Sequence, residues 1–200
     1  MKKNILTLLL LVAISALGQE KEAQKKKDFF FEPSGRIKLI YPMQFGEHSL
    51  SEAHNANVGA GWNLSFFNYK NFRFSPGLDW VQYDVTDHAL VGNFSTTNYT
   101  SANGTISYEV PLTSKISVLP DVGLGYVYIS QRSSGRYFGA QEGNEVRAGM
   151  TADFKTNRLL TVFFSARYIH SNLNMATNEQ FQNYYDSADQ IQLALGLKIN

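Results

Sequence analysis

A histidine next to a hydroxyl is where hydrolytic chemistry could begin, and Tyr168-Ile169-His170-Ser171-Asn172 contains such a pair. Serine becomes a nucleophile only when an imidazole lies within about 3 Å of its oxygen to take the proton. On an extended strand, successive side chains leave opposite faces. His170 and Ser171 would then point apart, and Asn172 would share the face of His170. The other histidines, His48, His54 and His88, lie near Glu47, Glu52 and Asp87. These residue types can ligate a divalent metal, but polar residues also gather in loops without binding one. Gly123-Leu124-Gly125 has the G-x-G spacing without a phosphate loop or a following helix, so tight packing is its expected use. A last group, Arg36, Lys38, Asp121, Glu145, Arg147, Asp153 and Arg167, mixes both signs. Buried charges need partners, so internal ion pairs are expected, with Glu145, Arg147 and Arg167 at similar heights near one end. No catalytic, cofactor-binding or metal-ligating residue is assigned, and no cofactor is expected.

The Tyr168–Asn172 stretch faintly resembles the His–Ser pair of outer-membrane lipid A deacylases. In that family the two residues are separated by one position, so both face lipid from the same strand. The adjacent placement here departs from that spacing. A lipid-modifying enzyme is therefore the alternative reading rather than the main one.

The elements that must position these residues are legible in the ending, Gln190-Ile-Gln-Leu-Ala-Leu-Gly-Leu-Lys-Ile-Asn200. Ile191, Leu193, Leu195, Leu197 and Ile199 would scatter around a helix but share one face of a strand. Seven earlier segments alternate in the same way, near 35–45, 57–67, 72–84, 98–110, 116–130, 144–154 and 158–170. No apolar helical face of useful length appears. In the third segment Pro76 predicts a bulge or slip. The connections at 67–71, 111–115 and 155–158 are short. Those near 46–56, 84–97, 131–143 and 171–187 are long. Tight turns at one end and long loops at the other describe an up-and-down antiparallel barrel.

The N-terminus has the form of a secretory signal peptide over residues 1–18: Lys2 and Lys3, an apolar core, then Ala16-Leu17-Gly18. A charged lead-in at 19–33 and a barrel from 34 to 200 are expected to follow. Of 18 Lys and Arg two belong to the leader, leaving 16 against 17 Asp and Glu, which excludes a basic nucleic-acid-binding surface. With no cysteine, there is no disulfide framework and no lipid-anchored cysteine. Charged residues make up 18% against a usual ~25%, while aromatics reach 14%. Some surface must therefore be covered by something other than charge.

The polar face decides between a soluble and a membrane barrel. It carries Gly59, Gly61, Ser65, Ser101, Ser107, Gly123, Gly125 and Gly149 with a few mixed charges. A water-facing surface would show more Lys and Glu, whereas the narrow interior of an eight-stranded barrel needs small residues and paired ions. The apolar faces end in aromatics such as Tyr41, Phe45, Trp62, Phe72, Trp80, Tyr126 and Tyr168, which suit interface belts.

From about residue 33 onward this pattern resembles the small eight-stranded OmpX/OmpA-type outer-membrane β-barrels of Gram-negative bacteria. Asp186-Ser187-Ala188 is similar to a short O-glycosylation motif of exported Bacteroidetes proteins. The resemblance implies an all-β, eight-stranded antiparallel transmembrane β-barrel, non-enzymatic and exported to the outer membrane. Outer-membrane lipid, lipopolysaccharide and the barrel insertion machinery would be its partners, with a further outer-membrane protein or complex as another. Family members commonly end on an aromatic residue, whereas this chain ends Ile199-Asn200. The expected role is structural or interaction-bearing, with the lumen plugged by polar side chains. Tyr99, Tyr137, Phe138, Tyr184 and Tyr185 are the candidate loop contacts.

Overall fold

The computed structural model describes residues 29–174 and 184–199. The expected signal peptide, the lead-in up to Asp28 and residues 175–183 of the last loop lie outside them. Ten strands form one antiparallel sheet: β1 (Phe29–Phe45), β2 (His54–Ala56), β3 (Gly59–Tyr69), β4 (Phe72–Val85), β5 (Thr96–Tyr108), β6 (Val110–Pro111), β7 (Ile116–Ser133), β8 (Arg136–Lys155), β9 (Leu160–Asn174) and β10 (Ser187–Ile199). Two single-turn helices, α1 (Ser49–Glu52) and α2 (His88–Val91), lie in the first two long loops.

Eight strands close a ring in the order β1-β3-β4-β5-β7-β8-β9-β10, and β10 seals against β1 from Gly35 opposite Ile199 to Phe45 opposite Asp189. Strand β2 continues the wall beside β4, and β6 continues it beside β7. Closure satisfies the backbone in a medium that offers no hydrogen bonds. The fold is the expected eight-stranded antiparallel barrel.

The alternation resolves in the inverted sense. Ile37, Leu39, Leu124, Val122 and Leu195 are 57–69% exposed on the outer wall, while Lys38, Asp79, Glu145 and Arg147 are at most 5% exposed inside. Phe31, Phe66, Phe67, Tyr69, Phe72, Phe74 and Phe154 ring the short-turn end, and Phe45, Tyr126, Tyr128 and Tyr168 the long-loop end; all face outward. Aliphatic side chains, with Trp62, Trp80 and Phe164 among them, fill the band between. This is the profile of a wall facing hydrocarbon between two interfaces.

Several boundaries differ from the sequence expectation. Strand β1 begins at Phe29, inside the stretch expected as lead-in, and Phe29–Phe31 pair with Phe67–Tyr69. The irregularity expected at Pro76 is present between β3 and β4, while pairing is uninterrupted between β4 and β5, with Pro76 opposite Gly104. From Asn63 to Asn68, β3 spends one residue more than β4 does from Gly77 to Arg73. Proline has no N–H to give its neighbour, so a bulge forms on that side. The extra residue lets consecutive Phe66 and Phe67 both face outward.

The third long loop, expected at 131–143, is a hairpin: β7 and β8 run on to a turn at Ser134-Gly135, where both φ angles are positive (48° and 78°). That is the backbone hand of a two-residue turn compatible with strand twist. Polar residues on both faces of this extension hid it from a periodicity argument.

Candidate functional site

The lower part of the barrel is filled by paired charges. Lys38 Nζ lies 2.7 Å from Asp79 Oδ1, and Arg147 Nη1 lies 2.7 Å from Asp79 Oδ2. Arg147 Nε donates to Glu145 Oε1 at 2.5 Å, and its Nη2 donates to Ser101 Oγ at 2.7 Å. The Ser101 and Tyr99 hydroxyls both donate to Glu145. Two cations and two anions thus form a neutral ionic chain across the lumen, in the order Lys38, Asp79, Arg147, Glu145. Glycines make room for it: a Cβ on Gly125 would stand 2.5 Å from Glu145 Oε1, and one on Gly61 would stand 2.3 Å from Asp79 Oδ1. The expected packing role of Gly125 is borne out.

Toward the short turns, Arg167 grips Asp121 with two nitrogens, at 2.7 and 3.0 Å, and donates to Thr151. Arg36 pairs with Asp153 at 2.8 Å beneath the Phe163 ring, and Arg73 with Glu109 at 2.6 Å. The expected ion pairs exist, with one correction. Arg167 is not level with Glu145 and Arg147 but opposite Gly149, and it belongs to the next layer. Sequence reasoning also passed over Asp79, because Pro76 clouded the register of its strand.

Above the ionic chain the filling is mainly apolar, with Gln190 and Thr97 buried among it. Ile40, Val81, Tyr83, Val127, Ile129, Ile169 and Leu173 are at most 4% exposed and pack together or against their neighbours under the long loops. The expectation of a lumen plugged by polar side chains therefore holds only for the lower part. A signal was present: alternation breaks into runs such as Leu39-Ile40-Tyr41 and Tyr126-Val127-Tyr128-Ile129, apolar on both faces. Tyr99, expected as a loop contact, is buried within this filling.

The first loop folds back over the mouth. Leu50 of α1 is 5% exposed against the apolar filling. His48 Nε2 reaches Phe45 O at 3.0 Å and Asp189 O at 3.3 Å, so its ring spans the seam where β1 meets β10. His54 Nδ1 donates to Ser49 O at 2.9 Å, which leaves Nε2 to accept from the Thr97 hydroxyl at 2.9 Å.

Burial holds the His54 imidazole below its ordinary value of 6.5, against a smaller opposing effect of the Ser49 carbonyl. The unfolded chain therefore binds more protons than the folded one below that pH. The stability contributed by the docked loop is full above about 6.5 and falls as acidification passes the folded value. Amide exchange, corrected for its intrinsic pH dependence, should show weaker protection of Ala53 N–H at pH 5 than at pH 7.5. Equal protection at both values would refute the assignment.

At the outer rim, His170 and Ser171 separate as expected. His170 Nδ1 lies 2.9 Å from Asp189 Oδ1 on the outer wall, where the Tyr168 hydroxyl also donates to Asp189 at 2.6 Å. Ser171 is fully buried inside. His88 sits apart, at the start of α2, with its Nδ1 3.3 Å from Gly92 O. Among the described residues no group of three His, Asp or Glu is placed to hold a metal ion.

Among the described residues, the long-loop end has a cavity of about 530 Å³ at the mouth, lined by His54, Phe94, Phe138 and Tyr185. Tyr137 and Phe138, on the hairpin, are 59% and 55% exposed. Tyr185 is half-buried and donates its hydroxyl to Leu90 O at 2.6 Å, and its ring meets Tyr184 edge to face. Of the five expected contacts, the structure places Phe138 and Tyr185 together on this cavity.

No protein-family model matches the chain, and no curated protein is similar to it in sequence. Solved structures do match. The chain is similar to Neisserial surface protein A, with a TM-score of 0.54 at 12% identity over 84% of this chain and 96% of that one. It is also similar to the outer membrane protein AlkL, solved in lipid bilayers, with a TM-score of 0.52 at 11% identity over 91% and 95%. At such identities the likeness extends to the fold alone, that of a small eight-stranded antiparallel β-barrel, of which both these outer-membrane proteins are examples.

Proposed function

We propose that this chain is a non-enzymatic protein of the bacterial outer membrane, anchored by its barrel and interacting through the long-loop end. The observation that carries the reading is the inversion of the wall, with aliphatic and aromatic side chains outside and neutralised charges within. Outer-membrane lipid and lipopolysaccharide are its immediate surroundings, the insertion machinery its transient partner, and a further outer-membrane protein a candidate neighbour. The mouth is the functional end because a docked loop, a rigid hairpin and exposed aromatics meet there.

The absence of native cysteine makes a direct test possible. On intact cells, Arg136→Cys at the hairpin should react with a membrane-impermeant maleimide, while Lys115→Cys at a short turn should react only after lysis. The reverse labelling, or recovery of the protein in the soluble fraction, would overturn the reading. The lipid-modifying alternative predicts altered lipid A acylation in His170→Ala. The separation of His170 from Ser171 leads us to expect none.

A further inference from the structure

We propose that the mouth cavity is a binding site for a neutral saccharide, an inference that rests on the surface-exposed reading of the long loops above. At about 530 Å³ it falls within the range of small-ligand sites. None of the described side chains lining it is Asp, Glu, Lys or Arg, so a charged ligand would be desolvated with nothing to pair it. Besides Ser49, His54, Thr97 and Gln141, three carboxamides line it: Asn93 from the α2 loop, Gln131 from β7 and Asn174 from the end of β9. Each offers both donors and an acceptor, which matches sugar hydroxyls that do both. A hydrocarbon would leave those amides without partners.

The apolar equipment is aromatic, with Phe94, Phe138 and Tyr185 on three different loops. An aromatic face is negative and accepts the electropositive C–H face of a pyranose ring. Flat rings beside neutral amides are the combination that suits a sugar and suits neither an ion nor an alkane.

The site is also held in shape before any ligand arrives. Tyr185 is tied to Leu90 O at 2.6 Å, and the Phe94 ring lies 6.3 Å from that of His54, whose nitrogens are both engaged. Rigid walls reduce the ordering cost of binding. The closed apolar filling beneath, including Ile129 and Leu50, makes this a terminal pocket rather than the vestibule of a channel.

The test uses the barrel in a zwitterionic detergent, since maltoside or glucoside detergents would compete. An array of neutral, sialylated and sulfated glycans is probed, and the best neutral glycan is then titrated. Retention of neutral glycans insensitive to added salt is expected. Phe138→Ala, exposed on the hairpin and away from the ionic chain, should weaken binding about tenfold, as should Gln131→Leu. Both should keep the heat-dependent gel mobility of the folded barrel. A blank neutral set, binding confined to anionic glycans and lost in salt, or unchanged affinity in either variant would overturn the proposal. A barrel labelled at Arg136→Cys on intact cells that binds no neutral glycan refutes only the saccharide site. Shielding of that cysteine refutes the broader reading beneath it.

Discussion

Arg147→Ala is expected to lower the stability of the barrel by roughly 3–5 kcal/mol, the usual cost of stripping one partner from a buried ion pair. The side chains of Arg147, Asp79 and Glu145 are at most 1% exposed. Alanine would leave Glu145 with only hydroxyl donors and Asp79 with Lys38 alone. The loss should appear as a lower urea midpoint in lipid vesicles, followed by the fluorescence of Trp62 and Trp80. Combining Arg147→Met with Glu145→Gln removes one charge of each sign and leaves Asp79 paired with Lys38, and most of the loss should return, because the penalty comes from uncompensated charge. A single variant with a wild-type midpoint would show that water reaches these charges freely and that the lumen is not packed.

Leu124→Lys should cost about 2–4 kcal/mol, the price of a cation facing lipid at mid-depth. Leu124 is 69% exposed near the middle of β7, with Gly104 and Val146 opposite it on the neighbouring strands. The sign of this experiment discriminates between media. On a wall facing water, replacing an exposed leucine by lysine changes stability by no more than about 0.5 kcal/mol in either direction. A control at the rim, Phe45→Lys at the end of β1, should cost about 0–1 kcal/mol, since the penalty fades toward the interface. Equal stability of Leu124→Lys and wild type would mean that the outer wall does not meet hydrocarbon.

Much of the architecture was readable residue by residue. Ile191, Leu193, Leu195 and Leu197 face outward as their spacing predicted, and Gln190, Gln192 and Lys198 face inward. The separation of His170 from Ser171 followed from pleat geometry alone. Less accessible was any place where two residues in a row faced the same way. The Phe66-Phe67 pair became intelligible only through the bulge opposite Pro76. Runs such as Tyr126 to Ile129 concealed an inner apolar layer, because a segment apolar on both faces has no preferred period.

For this protein, composition and the two-residue period by themselves determined the class of structure, the number of crossings and which side of each ribbon meets lipid. These are properties of a single strand in its medium, set by side-chain type alone. Only the closed ring decided which charges pair, that Arg167 serves Asp121 rather than Glu145, and that His54, Phe138 and Tyr185 border one cavity. Such relations join residues from strands and loops far apart in the chain. They depend on the register and stagger with which the sheet closes, and a bulge of one residue is enough to change them.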